Sequence, residues 1–493
     1  MSTVPAVEKK SADAAKANPL VQLQAQGQSV WLDFIRRQII LNGELKRLIT
    51  EDGLRGITSN PAIFEKAIAG SNDYADFLVT LRAQGLSPSE IFERIAIRDI
   101  QDAADMLHPV YVNTKRRDGY ISLEVSPTLA RNTQGTIEEA RRLWKTVNRE
   151  NVMIKVPGTP EGVPAIRQLT SEGININITL LFAQEAYVQV AEAFIDGLEA
   201  FGKSGGDVSK MASVASFFVS RIDSLVDSII SARLKVASSP QEKQSLQNLL
   251  GKVAIANAKQ AYRKYGELFS SPRWKSLAAH GAQTQRLLWA STGTKNPAYS
   301  DVLYIDNLIG PDTVNTVPPA TIDAFRDHGH VERTIDKDIS AADHTMADLE
   351  TAGISMQDVT EQLLEEGIKL FDDAFTKLLA AVAGAKPETA AKAIAVPQYS
   401  DFPTELKQAV DAAIQDWQKN DKVNRLWKGD ASLWTNAVGT NDDESKWLGW
   451  LHVLDDRAAV LASLPPQRTT RPKLASPTHF FWVWADRASV RKF

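Results

Sequence analysis

The chain contains no cysteine, which excludes disulfides, thiolate zinc sites, iron–sulfur clusters and thiol nucleophiles together. It also lacks a charge bias. The formal net charge is −4 with 24 % of residues charged, so no global field draws the chain to nucleic acid or to an anionic membrane, and any anion affinity has to be local. No run approaches the ~18 consecutive apolar residues of a membrane span. Residues 1–28, rich in Ala, Lys and Gln, have no apolar secretion core. A cytoplasmic protein without membrane or nucleic-acid partners is the expectation. Histidine is scarce, seven in all, and the close pair His328 and His330 reads as a solvated turn rather than a metal site. The 493 residues exceed one ordinary core, so two units, or a barrel with an appendage, are expected.

What the chain does contain is organised around Asn151-Val-Met-Ile-Lys155-Val-Pro157-Gly158, an apolar run with one lysine and a Pro-Gly stop. It reads as a short buried strand. An ammonium is costly to take out of water unless it is paired or gives up its proton. Two readings of Lys155 stand at this point. One is an edge-strand lysine that snorkels or pairs with an acid; the other is an amine kept partly neutral so that it can attack a carbonyl.

Around this run, short apolar segments alternate with helical ones. Residues 29–34 give a strand carrying Asp33, with an amphipathic helical region over 35–48, and residues 54–61 a second strand ended by Asn60-Pro61. Ser87-Pro88-Ser-Glu90 supplies an N-cap, an N1 proline and a capping-box glutamate for a long helix. Residues 120–127 form a strand with Glu124 near its end, and Thr136-Ile-Glu-Glu139 predicts the cap of the helix that leads to Lys155. A helical connector over 161–172 precedes 174–182, where alternation puts Asn175, Asn177 and Thr179 on one face. After a helix over 183–201, the strand at 211–219 puts Ser216 and Phe218 on one face, and helices follow at 220–235 and 240–268. Leu287 to Lys295 gives strand seven with a Gly/Ser/Thr loop, and Val302-Leu-Tyr-Ile-Asp306 is the expected strand eight.

Eight strands alternating with helices predict an α/β fold, a (β/α)8 TIM barrel, with a mainly helical or irregular C-terminal extension. An open doubly wound sheet would favour a Gly-rich turn after the first strand, and none is there. In a barrel the C-terminal strand ends carry the chemistry, so Asp33, Asn60, Glu124, Lys155, Asn177, Thr179, Ser216 and Ser291 are expected to converge on one pocket.

Two longer segments, Gly56-Ile-Thr-Ser-Asn60-Pro-Ala-Ile-Phe64 and Val152 to Leu169, resemble the signature segments of the transaldolases. The order of Asp33, Glu124, Asn177-Ile-Thr179-Leu-Leu-Phe182 and Ser216-Phe-Phe-Val-Ser-Arg221-Ile-Asp223 is similar to that family over roughly residues 20–385, including a terminal helix around 361–371. The resemblance implies transfer of a dihydroxyacetone unit between sugar phosphates in the pentose phosphate pathway, from sedoheptulose 7-phosphate to glyceraldehyde 3-phosphate, without cofactor or metal. Lys155 would form the Schiff base, since a protonated imine stabilises the carbanion left by reverse aldol cleavage far better than a ketone does. Asp33 would exchange a proton with the hydroxyl at the bond being broken, and Glu124 would work through a water that Thr179 helps to position. The resemblance places Asn60 and Asn177 on sugar hydroxyls, although a satisfied core polar group is the alternative for each. It gives phosphate to Arg221, Ser216 and the loop from Ser291 to Lys295. Many relatives carry arginine where this chain has Lys295, so a solvated lysine is the alternative there. Phe218 stands where aldolases that release free dihydroxyacetone tend to have tyrosine, which favours transfer. A fructose-6-phosphate aldolase-type lyase and a non-catalytic sugar-phosphate scaffold are the rival readings.

The expected organisation is a flexible segment over 1–19, the barrel over 20–385, a linker over 386–403, and two further pieces. Residues 404–455, with Leu426-Trp427 and Lys446-Trp-Leu-Gly-Trp450, resemble the opening of the glucose-6-phosphate isomerase half of fused transaldolase/isomerase proteins. Residues 456–493 are basic and aromatic and resemble neither family; a displaced reading frame or a partner-binding tail would account for them.

Overall fold

The structure, a computed structural model, describes residues 18–384 and, beyond them, 415–417, 419–420, 422 and 425. Expectations for 1–17, the linker, all but these few residues of the isomerase-like piece, and the basic tail lie outside the described residues. Eight parallel strands close into a barrel in sequence order. They are β1 (Gln28–Leu32), β2 (Gly56–Ile57), β3 (Tyr120–Glu124), β4 (Val152–Pro157), β5 (Ile176–Leu181), β6 (Ser213–Phe218), β7 (Arg286–Ala290) and β8 (Thr313–Val317). The ring is completed by β1 on β8, from Gln28 opposite Thr313 to Leu32 opposite Val317.

Parallel neighbours require crossovers, and the helices that make them cover the barrel's outside, so all eight strands are buried along nearly their whole length, β2 being the shortest. Gly56 in β2 has a local reason: a Cβ there would come within 2.5 Å of the Trp31 indole, which fills the barrel. The Pro88–Asn113 helix starts with the anticipated Ser87/Glu90 capping box.

Four expectations are corrected. Val302–Asp306 is not a strand, because Leu303–Asn307 is a short helix and the eighth strand is Thr313–Val317. The helix before β4 begins at Thr133, capped by Asn132, whose side chain accepts from Gly135 N, so Thr136 lies inside it and bonds to Leu129 O. The helix expected over 240–268 is two, Pro240–Leu249 and Val253–Leu268, broken at Gly251 with φ 69°. Likewise the 35–48 region is two short helices parted by Gly43 at φ 87°. Among the described residues no helix is long and apolar enough to cross a membrane.

Candidate active site

The floor of the site is built on β3, β4, β5 and β6. Glu124 lies opposite Lys155 in the register, and Lys155 opposite Asn177. Lys155 Nζ donates to Glu124 Oε2 at 3.0 Å and to Ser59 O at 3.3 Å, with only 6 % of the lysine side chain exposed and 4 % of the glutamate's. The Asn177 amide is spent on its neighbours, donating to Ser122 Oγ at 2.9 Å and accepting from Ser216 Oγ at 2.7 Å. Burial pushes the Glu124 carboxyl up, against the pull of Lys155. Its Oε1 and the Thr179 hydroxyl are both buried without a hydrogen-bond partner. Such groups are costly unless something polar meets them in use.

Asp33 follows β1 and faces the same space. Its Oδ1 accepts from the Thr58 hydroxyl at 2.8 Å, and Thr58 lies 2.6 Å from the Thr316 hydroxyl. Since Thr58 has one proton and gives it to Asp33, it accepts from Thr316, which makes a chain running Thr316 to Thr58 to Asp33. Burial again raises the carboxyl, opposed first by Lys155 and then by the Thr58 bond and the charges of Lys295 and Arg221.

These groups open on a cavity of about 390 Å³ whose walls include Asp33, Asn60, Lys155, Thr179, Ser216, Phe218, Arg221, Ser291 and Lys295. The size suits a small phosphorylated substrate. Asn60 Oδ1 caps the Pro61–Ala69 helix by accepting from Ile63 N at 2.9 Å, which leaves the amide NH2 for the cavity. Arg221, in the first turn of the Ser220–Leu234 helix, lies with Cζ 5.4 Å from the centre of the Phe218 ring. Lys66 joins Arg221 and Lys295 on the wall. Among the described residues none of these three cations forms a hydrogen bond or an ion pair, although Glu366 and Asp33 act on Arg221 at longer range. Cations that line one cavity without anions of their own suit it to an anion.

The roof comes from the Met356–Gly384 helix. Phe371 sits with its ring centre 5.6 Å from Lys155 Nζ. One turn earlier, Gly367 meets Leu180, where a Cβ would come within 2.9 Å of Cδ2. Leu180 is itself in the left-handed region, φ 61°, at an irregularity in the β5–β6 register between Ile178 and Leu181. Such bulges re-aim neighbouring side chains, here Thr179.

Most of the anticipated residues therefore meet in one place, with two differences. Asn177 lies beneath the cavity, bonded to Ser122 and Ser216, and is not on its wall. Glu124 reaches Lys155 directly and lines an adjoining cavity of about 280 Å³, in which Asn60 also takes part. Sequence reasoning missed Thr58, Lys66, Thr316 and Phe371. Thr58 lay inside a signature segment, and Thr316 was hidden by the misplaced eighth strand. His328 contacts Asp301 and Asp327 at the surface, and no described group of His, Asp and Glu is arranged to hold a metal ion.

Comparison with known proteins gives the family of the chain. Residues 30–382 match the profile of the family described as Transaldolase/Fructose-6-phosphate aldolase. A protein named Transaldolase from Trichodesmium erythraeum (strain IMS101) is 53 % identical over 365 residues, covering 73 % of this chain and 96 % of the relative. Transaldolase 2 from Nostoc punctiforme (strain ATCC 29133 / PCC 73102) is 50 % identical over 366 residues, covering 73 % and 96 %. A Transaldolase from Frankia alni (strain DSM 45986 / CECT 9034 / ACN14a) is 45 % identical over 368 residues, covering 74 % and 97 %. With an eight-stranded barrel, a buried lysine on its fourth strand and a match across nearly the full length of these relatives, the chain belongs to the transaldolase/fructose-6-phosphate aldolase family.

Proposed function

We propose that the chain is a transaldolase that moves a dihydroxyacetone unit between sugar phosphates through an imine on Lys155. The observation that carries this is the buried Lys155 amine, hydrogen-bonded to Glu124 and facing a cavity ringed by unpaired cations. Burial raises the Glu124 carboxyl, which suits it to carry a proton passed along its hydrogen bond with Lys155 Nζ. Glu124 takes the ammonium proton, and the free amine attacks the ketose carbonyl. Glu124 returns the proton as the carbinolamine expels water, and Oε1 together with the Thr179 hydroxyl holds that water. Asp33, steered by Thr58, removes the proton from the hydroxyl on the carbon being released; the carbon–carbon bond breaks and its electrons enter the iminium as an enamine. An incoming aldose phosphate reverses these steps. Arg221, Lys295 and Ser291 bind the phosphate with help from Lys66, while Asn60 contacts the sugar hydroxyls and Asn177 and Ser216 brace the floor.

Phe218 on the cavity wall favours transfer over release of free dihydroxyacetone, and no cofactor takes part. The near-balanced charge supports sugar phosphates rather than nucleic acid as partners, and a cytoplasmic setting is part of this reading. Residues 386–493 are outside the catalytic unit in this reading. Borohydride added with fructose 6-phosphate should attach a substrate-sized mass to the peptide containing Lys155. Labelling of a different lysine would overturn the assignment.

A further inference from the structure

The loop over residues 291–302, between β7 and the Leu303–Asn307 helix, carries Ser291, Gly293 and Lys295 on the cavity wall. Its two ends are fastened to one element, the Ser220–Leu234 helix that also presents Arg221. At the near end Ser291, in the left-handed region at φ 57°, accepts from Ser220 N at 3.1 Å, and the two hydroxyls lie 3.0 Å apart. At the far end the Tyr299 hydroxyl donates to Asp227 Oδ2 at 2.7 Å and the Tyr304 hydroxyl to Asp223 Oδ2 at 2.9 Å. Asp223 and Asp227 are one turn apart, on the helix that begins beside Arg221.

Each carboxylate is also held from its other side. Asp223 Oδ1 accepts from Ala254 N at 2.8 Å, and Asp227 Oδ1 from Gly251 N at 3.1 Å. The Tyr299 ring lies so close to Gly251 that a Cβ there would come within 2.9 Å of it. Inside the loop, Thr294 Oγ1 donates to Ser300 O at 2.8 Å and Asn296 Oδ1 accepts from Ala298 N at 3.0 Å, which keeps the tip wound. Burial pushes both carboxyls up, Asp223 to about 7, so the tyrosine and backbone donors are what favour the anions. None of these four side chains lines the cavity. A loop held only by water would have to be ordered afresh with each substrate, at a cost in affinity.

We infer that Asp223 and Asp227, acting through Tyr304 and Tyr299, are positioning residues that hold Ser291 and Lys295 at a fixed distance from Arg221, so that the phosphate of the substrate meets a pre-set group of cations. This rests on the assignment of the Arg221 and Lys295 wall to phosphate made above. The test compares Tyr299→Phe, Tyr304→Phe, the double variant and Arg221→Ala, each confirmed folded by circular dichroism. It uses fructose 6-phosphate and unphosphorylated fructose as donors and inorganic phosphate as a competitive inhibitor. The double variant, which removes both tyrosine–carboxylate bonds, should raise KM for fructose 6-phosphate and Ki for phosphate about tenfold, with kcat/KM for fructose unchanged. The single variants should fall between it and the native enzyme. Unchanged KM and Ki in the double variant, or equal losses on both donors, would overturn the clamp. If Arg221→Ala itself leaves phosphate inhibition unchanged, the phosphate assignment fails. If Arg221→Ala weakens inhibition and the tyrosine variants do not, only the clamp fails.

Discussion

At the N-terminal end of the barrel Arg286 and Asp118 form a buried ion pair in which nearly every polar atom is used. Arg286 donates to Asp118 Oδ1 and to Ser29 Oγ, each at 2.8 Å, and to Arg117 O at 2.5 Å, while Ser29 and Trp31 also donate to Asp118. Burial alone would raise the Asp118 carboxyl, but the Arg286 charge and these bonds more than offset it and hold it below the usual range. At the C-terminal end Lys155 and Glu124 form another buried pair, yet Glu124 keeps an unpartnered oxygen and its carboxyl is raised. The same barrel thus holds a saturated pair and an under-saturated one. Saturation fixes charge and favours a single structure; a shortfall of donors leaves a group free to trade protons.

The contrast breaks most visibly at Lys155. Lys155→Arg keeps a cation and loses the proposed nucleophile, so turnover should fall by about three orders of magnitude or more, and borohydride labelling of that peptide should vanish. Asp33→Ala should slow carbon–carbon cleavage by about 10²–10⁴-fold while the trapped imine accumulates. Loss of the imine itself would mean that Asp33 and Glu124 have been given each other's roles. Arg286→Met, which strands Asp118, should cost about 3–5 kcal/mol in denaturant unfolding. Lys155→Met should cost less than about 1.5 kcal/mol, because Glu124 can take up a proton instead. Similar costs at the two ends would erase the distinction. Arg221→Ala should raise KM for phosphorylated sugars by about 10- to 100-fold and spare unphosphorylated donors.

The smallest effect is on pH dependence, and the two ends should differ in sign. Asp118 has its folded pKa below the unfolded value, so its contribution is present above about pH 4 and is lost as pH falls through the folded value. Asp33 is raised, so the native state holds its proton longer than the unfolded chain, and stability declines as pH climbs from about 4 toward the folded value. Over that upper window Asp33→Asn should gain stability relative to the native chain. A flat difference between the two curves would show that the burial of Asp33 is relieved in solution.

Period and punctuation made most of the barrel legible. Lys155, Glu124 and Ser216 stood near the ends of apolar runs, and Asn60 preceded a proline. Strand eight was not legible because Thr313 and Asn315, though buried, are polar, while Val302 to Ile305 looks more strand-like than the strand. Gln28 donates to the Thr313 hydroxyl and Thr292 to Asn315 Oδ1, from 285 and 23 residues away, while the Asn315 NH2 is buried without a partner. Thr316 was lost with that strand. Phe371 was invisible for another reason: its ring reaches Lys155 across more than two hundred residues of chain, a separation that no local pattern encodes. The amide of Asn177 similarly depends on Ser122 and Ser216, each from a different strand.

The roof supplied by Phe371 also sets a schedule for synthesis. The helix that carries it is the last element of the barrel unit, and residues 385–493 are translated after it. At ~5–20 residues per second the ribosome is still adding those residues for several seconds after Gly384 is joined. Every described group of the pocket has by then been polymerised, so the barrel can close over Lys155 while the chain is still being made.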